Sequence, residues 1–222
     1  MKQSTYYYLL RRGVIGGGGG SKGLLDTYTG AAAAYSLRKL SSDYSGNAIT
    51  VTTDGVDSQN IGFSGSNLDT AALESFAGSG DAYVSTWYDQ SGNSRNFTQS
   101  TFANMPKIVS SGTTITQNSK PIVEFDGTTR YMDISAQQTF TDEFFMTFAM
   151  RPTSNANAFG SLLNGEGTAQ NRVLVYENTT TSIRIKGTSF TQIDGWNIGT
   201  YTNYTIERRS SDVIRQYFYG NE

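Results

Sequence analysis

After residue 100 the chain is a succession of short runs rich in β-branched and aromatic residues. They are "PKIVSS", "TTITQ", "KPIVEFDG", "YMDIS", "FFMTFAMRP", "FGSLLNG", "RVLVYEN", "SIRIKG", "TNYTIERR" and "VIRQYFYG". Gly, Asn or Asp closes most of them, which marks strands separated by turns. Strands at this spacing predict an all-β, antiparallel two-sheet sandwich or jelly roll with short accessory helices. Aromatics at 13% beside only 16% charged residues fit pleated faces that pack large rings. No repeat of fixed period interrupts this pattern.

The first hundred residues are more mixed. Four alanines followed by Leu37 and Leu40 predict a short helix over about 31–41. "NAITVTTD" predicts a strand near 48–53. "NLDTAALESFAG" predicts a second helix, with Asp69 as N-cap, Leu73 and Phe76 on its apolar face, and Gly78 as its stop. "DAYVSTWYD" predicts a strand with Tyr83, Ser85 and Trp87 on one face and Val84, Thr86 and Tyr88 on the other.

The ends are read separately. Residues 1–15 carry Tyr6, Tyr7, Tyr8, Leu9 and Leu10 followed by Arg11 and Arg12. Such apolar anchors are costly to expose and predict a docking arm. Residues 16–23 form a glycine-rich hinge, and residues 24–222 the sandwich. "SSDVIRQYFYGNE" reaches a turn at Gly220 and Asn221 without a return strand, so the sandwich is expected to continue in a longer gene product.

Composition excludes several functions. The chain has no His and no Cys, which removes disulfides, thiolate metal sites and every His-based triad. A net charge of −2 gives no field for nucleic acid, and "LRRG" and "IERR" are too short to supply one. No run is long enough to span a membrane as a helix. The N-terminus has no secretory pattern, so "NFT", "NTT" and "NYT" are chance matches to the glycosylation signal. No metal-ligand spacing occurs, and no metal or cofactor is expected. The glycine run lacks the Lys-Ser/Thr of a phosphate-binding loop.

Three segments in order, "AAAAYSLRKLSSDYSGNAITV", "IGFSGSNLDTAALESFAGSGDAYVSTWYDQSGN" and "PKIVSSGTTITQNSKPIVEFDGTTRYMDIS", resemble a recurring module. It is similar to the start of the catalytic domain of the fungal-type α-L-arabinofuranosidase B family. It resembles still more the concanavalin-A-like, laminin-G-like sandwiches of bacteriophage structural proteins and bacterial surface proteins. The resemblance covers about residues 24–222 and implies a jelly roll. In the enzyme family the nucleophilic carboxylate lies beside a vicinal disulfide. No segment here matches that, so no catalytic residue carries over. The phage module implies a virion role in a tail or head fibre.

Candidate sites follow from chemistry. Glycoside hydrolysis needs two carboxylates flanking a sugar. Asp89, Glu124, Asp126, Asp133, Glu166 and Glu177 are available, with Asp126–Gly127 reading more simply as a turn. In "WYDQSGN", Trp87 is expected between the sheets, Asp89 is expected to brace the turn through Ser91, Gly92 and Asn93, and Arg95 to pair with Asp89. For glycan binding, Trp196 in a loop with Asp194, Asn197 and Tyr201 offers an aromatic platform, or else Trp196 plugs a sandwich edge. The sequence alone thus predicts a non-enzymatic virion structural or adhesion protein, made in the host cytoplasm. Its arm would hold other virion proteins, and its sandwich would meet cell-surface glycans in many copies on a symmetric particle. The alternatives are a glycan-degrading hydrolase of the arabinofuranosidase type and a bacterial surface lectin.

Overall fold

The computed structural model describes residues 22–134 and 144–151, and the strands 174–178, 182–186, 190–194, 202–208 and 214–220. The chain forms two compact units, Met1–Ala136 and Gln137–Glu222. In both, the strands pair antiparallel, and the fold is of the β-sandwich jelly-roll type.

The first unit opens with a single helical turn, α1 (Leu24–Thr27), whose Asp26 carboxylate accepts from the Gly23 N–H at 2.7 Å. Strands β1 (Ile49–Thr52), β2 (Ser58–Ile61), β3 (Phe63–Ser64) and β4 (Asn67–Leu68) precede helix α2 (Thr70–Ala77). Then come β5 (Ala82–Trp87), β6 (Phe97–Thr98), a 3₁₀ turn at Phe102–Asn104, β7 (Lys107–Ser110), β8 (Thr113–Thr114), β9 (Thr116–Gln117), β10 (Lys120–Pro121) and β11 (Asp133–Ile134). Seven of these strands make one sheet in the order β11-β6-β5-β1-β2, with β7 beside β5 and β8 beside β7.

Helix α2 forms as its local signals dictate. Asp69 accepts from the Ala72 N–H at 3.1 Å, and Gly78 ends the helix at φ 58°. Leu73 and Ala77 are buried, and Phe76 packs against the same core. Glu74 ties the helix to β8 by accepting from the Thr114 N–H at 2.9 Å. The core beneath is β-branched: Ile49, Val51, Ile61, Val84, Ile108 and Val109 are completely buried. Each such burial stabilises the unit by about 1.5–3 kcal/mol.

One feature of β5 corrects the expected alternation. Its pairing with β1 slips between Thr50 and Val51, so Trp87 lies opposite Ile49 and Val84 opposite Val51. Ile49, Val51 and Val84 are all completely buried, and Trp87 packs against the same core. Val84 and Trp87 therefore share the inner face, although three residues apart. The extra residue of a β-bulge produces this, because it reverses the facing of everything beyond it.

A second correction concerns residues 31–41, which form no helix. Their only regular pairing among the described residues is an isolated bridge from Arg38 to Asn67. The reason lies in where their backbone groups bond, described below.

In the second unit, β12 (Phe144–Met150), β13 (Leu174–Asn178), β14 (Ser182–Lys186), β15 (Phe190–Asp194), β16 (Thr202–Arg208) and β17 (Ile214–Gly220) form two sheets, β12-β16-β17 and β13-β14-β15. Phe145, Thr147 and Ala149 are exposed and alternate with half-buried Met146, Phe148 and Met150. The period of two is that of a strand with one covered face.

Candidate functional site

The corner built by "WYDQSGN" gathers more directed polar contacts than any other described part of the chain. Its first residue is an anchor. Trp87 packs against the core and meets the Tyr35 ring edge-on at 6.5 Å, and Tyr35 lies 4.3 Å from the Phe97 ring. The Trp87 indole N–H is buried and has no hydrogen-bond partner among the described residues. The Tyr35 hydroxyl donates to the Arg95 carbonyl. Burial pushes the Tyr35 phenol pKa up, and the Asp89 charge adds to this against an opposing effect of Arg95.

Asp89 is 5% exposed, and its two oxygens accept four hydrogen bonds. Oδ1 takes the N–H groups of Ala34 at 2.8 Å and Ser91 at 2.9 Å. Oδ2 takes the Ser91 hydroxyl at 2.8 Å and the Arg95 N–H at 3.1 Å. Burial pushes this carboxyl up, but the donors from Ser91, Ala34 and Arg95 outweigh it and hold the pKa below the usual value. The expected brace is present, and it reaches beyond the turn to residue 34. The expected ion pair is not formed: Arg95 meets Asp89 through its backbone, and its guanidinium donates to the Ala32 carbonyl at 2.9 Å.

Gln90 completes a clamp. Its Oε1 accepts from the Leu40 N–H at 2.8 Å, and its Nε2 donates to the carbonyls of Ser36 at 2.8 Å and Arg38 at 3.0 Å. Asn93 donates to the carbonyls of Ala31 and Ala32 at 3.0 and 3.1 Å. Backbone groups from 31 to 40 that a helix would pair internally are thus held by side chains 50 to 63 residues away. This competition defeats the helix propensity of the alanines.

Other carboxylates play similar local parts. Asp126 accepts from the N–H groups of Thr128, Thr129 and Arg130, each at 2.9 Å, around Gly127 at φ 72°. It is the turn that the sequence predicts. Asp26 is held down to about 2, first by the Ser41 hydroxyl and the Ser42 N–H. Asp54 is lowered by the N–H groups of Val56 and Asp57. Asp81 is lowered chiefly by Lys107, whose ammonium lies 2.6 Å away. Asp81 raises Lys107 in return.

These shifts predict the pH profile of stability. A carboxylate depressed by folding contributes above its unfolded pKa of about 3.9 and ceases to contribute as pH falls through its folded value. Raised Lys107 contributes below its ordinary 10.5 and loses its contribution as pH rises through the folded value. With no His to titrate between, melting temperature should be flat from about pH 5 to 8 and fall below about pH 4. Thermal melts followed by circular dichroism would check this. A step near pH 6 would contradict it.

Other expected site residues fall elsewhere. Asp194 is the last residue of β15, opposite Ser182 on β14, so the strand runs to the edge of the expected loop. Trp196, Asn197 and Tyr201 lie outside the described residues, as do Tyr6, Tyr7, Tyr8, Leu9, Leu10, Arg11 and Arg12 of the arm. Glu166 also lies outside them, and Glu177 is placed on β13. Glu124 bridges Lys107 by backbone bonds at 2.8 and 3.0 Å and is exposed, as is Asp133 on β11. An open cleft of about 190 Å³ beside the corner is lined by Leu25, Gly30, Ala31, Ser41, Gln90 and Ser91. Its serine hydroxyls are already committed to Asp26 and Asp89. Among the described residues no group of three or more carboxylates is placed to hold a metal ion.

No family model matches the sequence. No curated protein sequence matches it either. Solved structures do match in fold. One is an arabinofuranosidase complexed with arabinofuranosyl-α-1,2-xylobiose, at TM-score 0.66 and 15% identity, over 89% of this chain and 50% of that one. Another is a mutant GH54 α-L-arabinofuranosidase soaked with 4-nitrophenyl α-L-arabinofuranoside, at TM-score 0.64 and 17% identity over the same shares. A third is a GH54 α-L-arabinofuranosidase soaked with a cyclic sulfate inhibitor, at TM-score 0.66 and 15% identity. The chain spans about half the length of these proteins. None of the three is a virion protein, and all three are glycoside hydrolases, which corrects the expectation of a non-enzymatic chain. At this level of identity the likeness establishes the jelly-roll fold that the chain shares with them.

Proposed function

We propose that the chain acts on glycans as a hydrolase of the arabinofuranosidase type. The observation that carries this reading is the match of 89% of the chain to arabinofuranosidase structures. Hydrolysis of a glycosidic bond needs one carboxyl group to protonate the leaving oxygen and a second to act as nucleophile or general base. Asp89 and Asp126 are unsuited, because their oxygens are committed to backbone N–H groups that fix local structure. Of the candidate carboxylates, Glu124, Asp133, Glu166 and Glu177 remain available for the pair.

The test is release of nitrophenolate from 4-nitrophenyl α-L-arabinofuranoside by the full chain. Turnover is expected, and two of the variants Glu124→Gln, Asp133→Asn, Glu166→Gln and Glu177→Gln are expected to lose about 10²-fold or more. Absence of release from this compound and from arabinose-bearing xylo-oligosaccharides would overturn the reading.

A further inference from the structure

The outer face of the seven-stranded sheet carries a continuous polar row. Register places Asn60 opposite Thr50, Thr50 opposite Thr86, Thr86 opposite Thr98, and Thr98 opposite Asp133. The row crosses β2, β1, β5, β6 and β11, which at about 4.8 Å per strand is about 19 Å. Asn60 and Asp133 are exposed, and the three threonines are half-exposed. It exists because of the bulge in β5: the slip that turns Trp87 inward also turns Thr86 into line with Thr50 and Thr98.

One end of the row is pre-organised. The Thr50 hydroxyl donates to Asn60 Oδ1 at 2.7 Å. The Tyr88 hydroxyl lies 2.9 Å from the Thr50 hydroxyl and donates to the same Asn60 oxygen at 3.4 Å. With its oxygen committed, Asn60 keeps its amide nitrogen as a fixed donor. Among the described residues the Thr86 and Thr98 hydroxyls have no protein partner. The half-exposed Tyr88 ring adds an apolar surface beside these polar groups.

We infer that this row is a binding platform for a neutral polysaccharide lying across the strands. The reading deepens the proposed hydrolase function and rests on it. Three features favour a neutral glycan. Hydroxyl and amide groups spaced along a line match the repeated hydroxyls of a sugar chain. A tyrosine ring beside fixed polar groups suits a sugar ring, whose faces are apolar and whose rim is polar. The row holds one carboxylate and no cation, so it disfavours anionic glycans and nucleic acid. It also lacks the buried apolar anchors that protein interfaces concentrate at their centres. Asp133, where the row ends, is among the carboxylates that remain available for hydrolysis.

The test uses the full chain in affinity electrophoresis through gels containing soluble arabinoxylan or, as the anionic probe, polygalacturonate. Arabinoxylan is expected to retard the protein and polygalacturonate not to. Asn60→Ala, Thr86→Val and Tyr88→Phe are each expected to weaken arabinoxylan binding about three- to tenfold. Thr86→Val keeps a β-branched residue on an outward strand position and so retains the fold. Equal retardation of wild type and Thr86→Val, no retardation of the wild type by arabinoxylan, or stronger retardation by polygalacturonate would each overturn the platform. Failure of the hydrolase reading is told apart by the wild type alone: it would bind arabinoxylan without releasing nitrophenolate from the small substrate.

Discussion

Asp89→Ala is expected to destabilise the first unit by about 3 kcal/mol. Four donors lose their acceptor together: the N–H groups of Ala34, Ser91 and Arg95, and the Ser91 hydroxyl. A buried donor left alone costs about 1–3 kcal/mol. The corner is partly open, so some of these groups recover water, and the total falls well short of the sum. Asp89→Asn should cost about half as much, because the amide keeps one acceptor oxygen but sets an NH₂ group against at least one N–H. Urea unfolding followed by Trp fluorescence would measure both. A loss below about 1 kcal/mol for the alanine variant would show that the clamp is not what holds residues 31–40.

The second large effect is Gln90→Glu. Gln90 Nε2 faces two carbonyl oxygens, those of Ser36 and Arg38, and both need a donor. An ionised carboxylate offers them none and adds repulsion in a site where Gln90 is 3% exposed. About 3 kcal/mol should be lost at pH 7. The loss should depend on pH in a stated direction. Folding disfavours the charged form, so the introduced Glu has a folded pKa above its unfolded value of about 4.3. The penalty is therefore least below about pH 4 and grows as pH rises through the folded pKa. Wild type and variant unfolded in urea at pH 4 and pH 7 should differ less at the lower pH. A gap independent of pH would mean that the side chain has left the site.

The two corner residues also show how far the sequence could be read. Helix α2 was legible because every signal for it is local: the Asp69 cap, the Leu73 face and the Gly78 stop lie within ten residues. Residues 31–41 were misread because their bonding partners are Asp89, Gln90, Asn93 and Arg95, which no local window contains. The facing of Val84 relative to Trp87 was misread for another reason: one extra residue in a strand changes no composition yet reverses every later side chain. Strand β2, "SQNI", has three polar residues in four and gave no strand signal. Its Asn60 could not be recognised as a candidate ligand group, because its role follows from register with β1. The brace at Asp89 was legible from its Asp-x-Ser-Gly-Asn context, whereas the clamp at Gln90 left no local mark.

The clamp also imposes an order on folding. The bond from Ala34 to Asp89 closes a loop of 55 residues, and that from Leu40 to Gln90 one of 50. Closing loops of this length has an entropic cost that must be met before any gain is returned. During synthesis, residues 31–40 leave the ribosome well before their partners exist. Four alanines and two leucines must then wait in solution for β5 to be made and paired. The segment is consequently a latch that waits for the end of β5 and the corner after it, and the nascent chain is open to proteolysis there in the interval before residue 96 emerges.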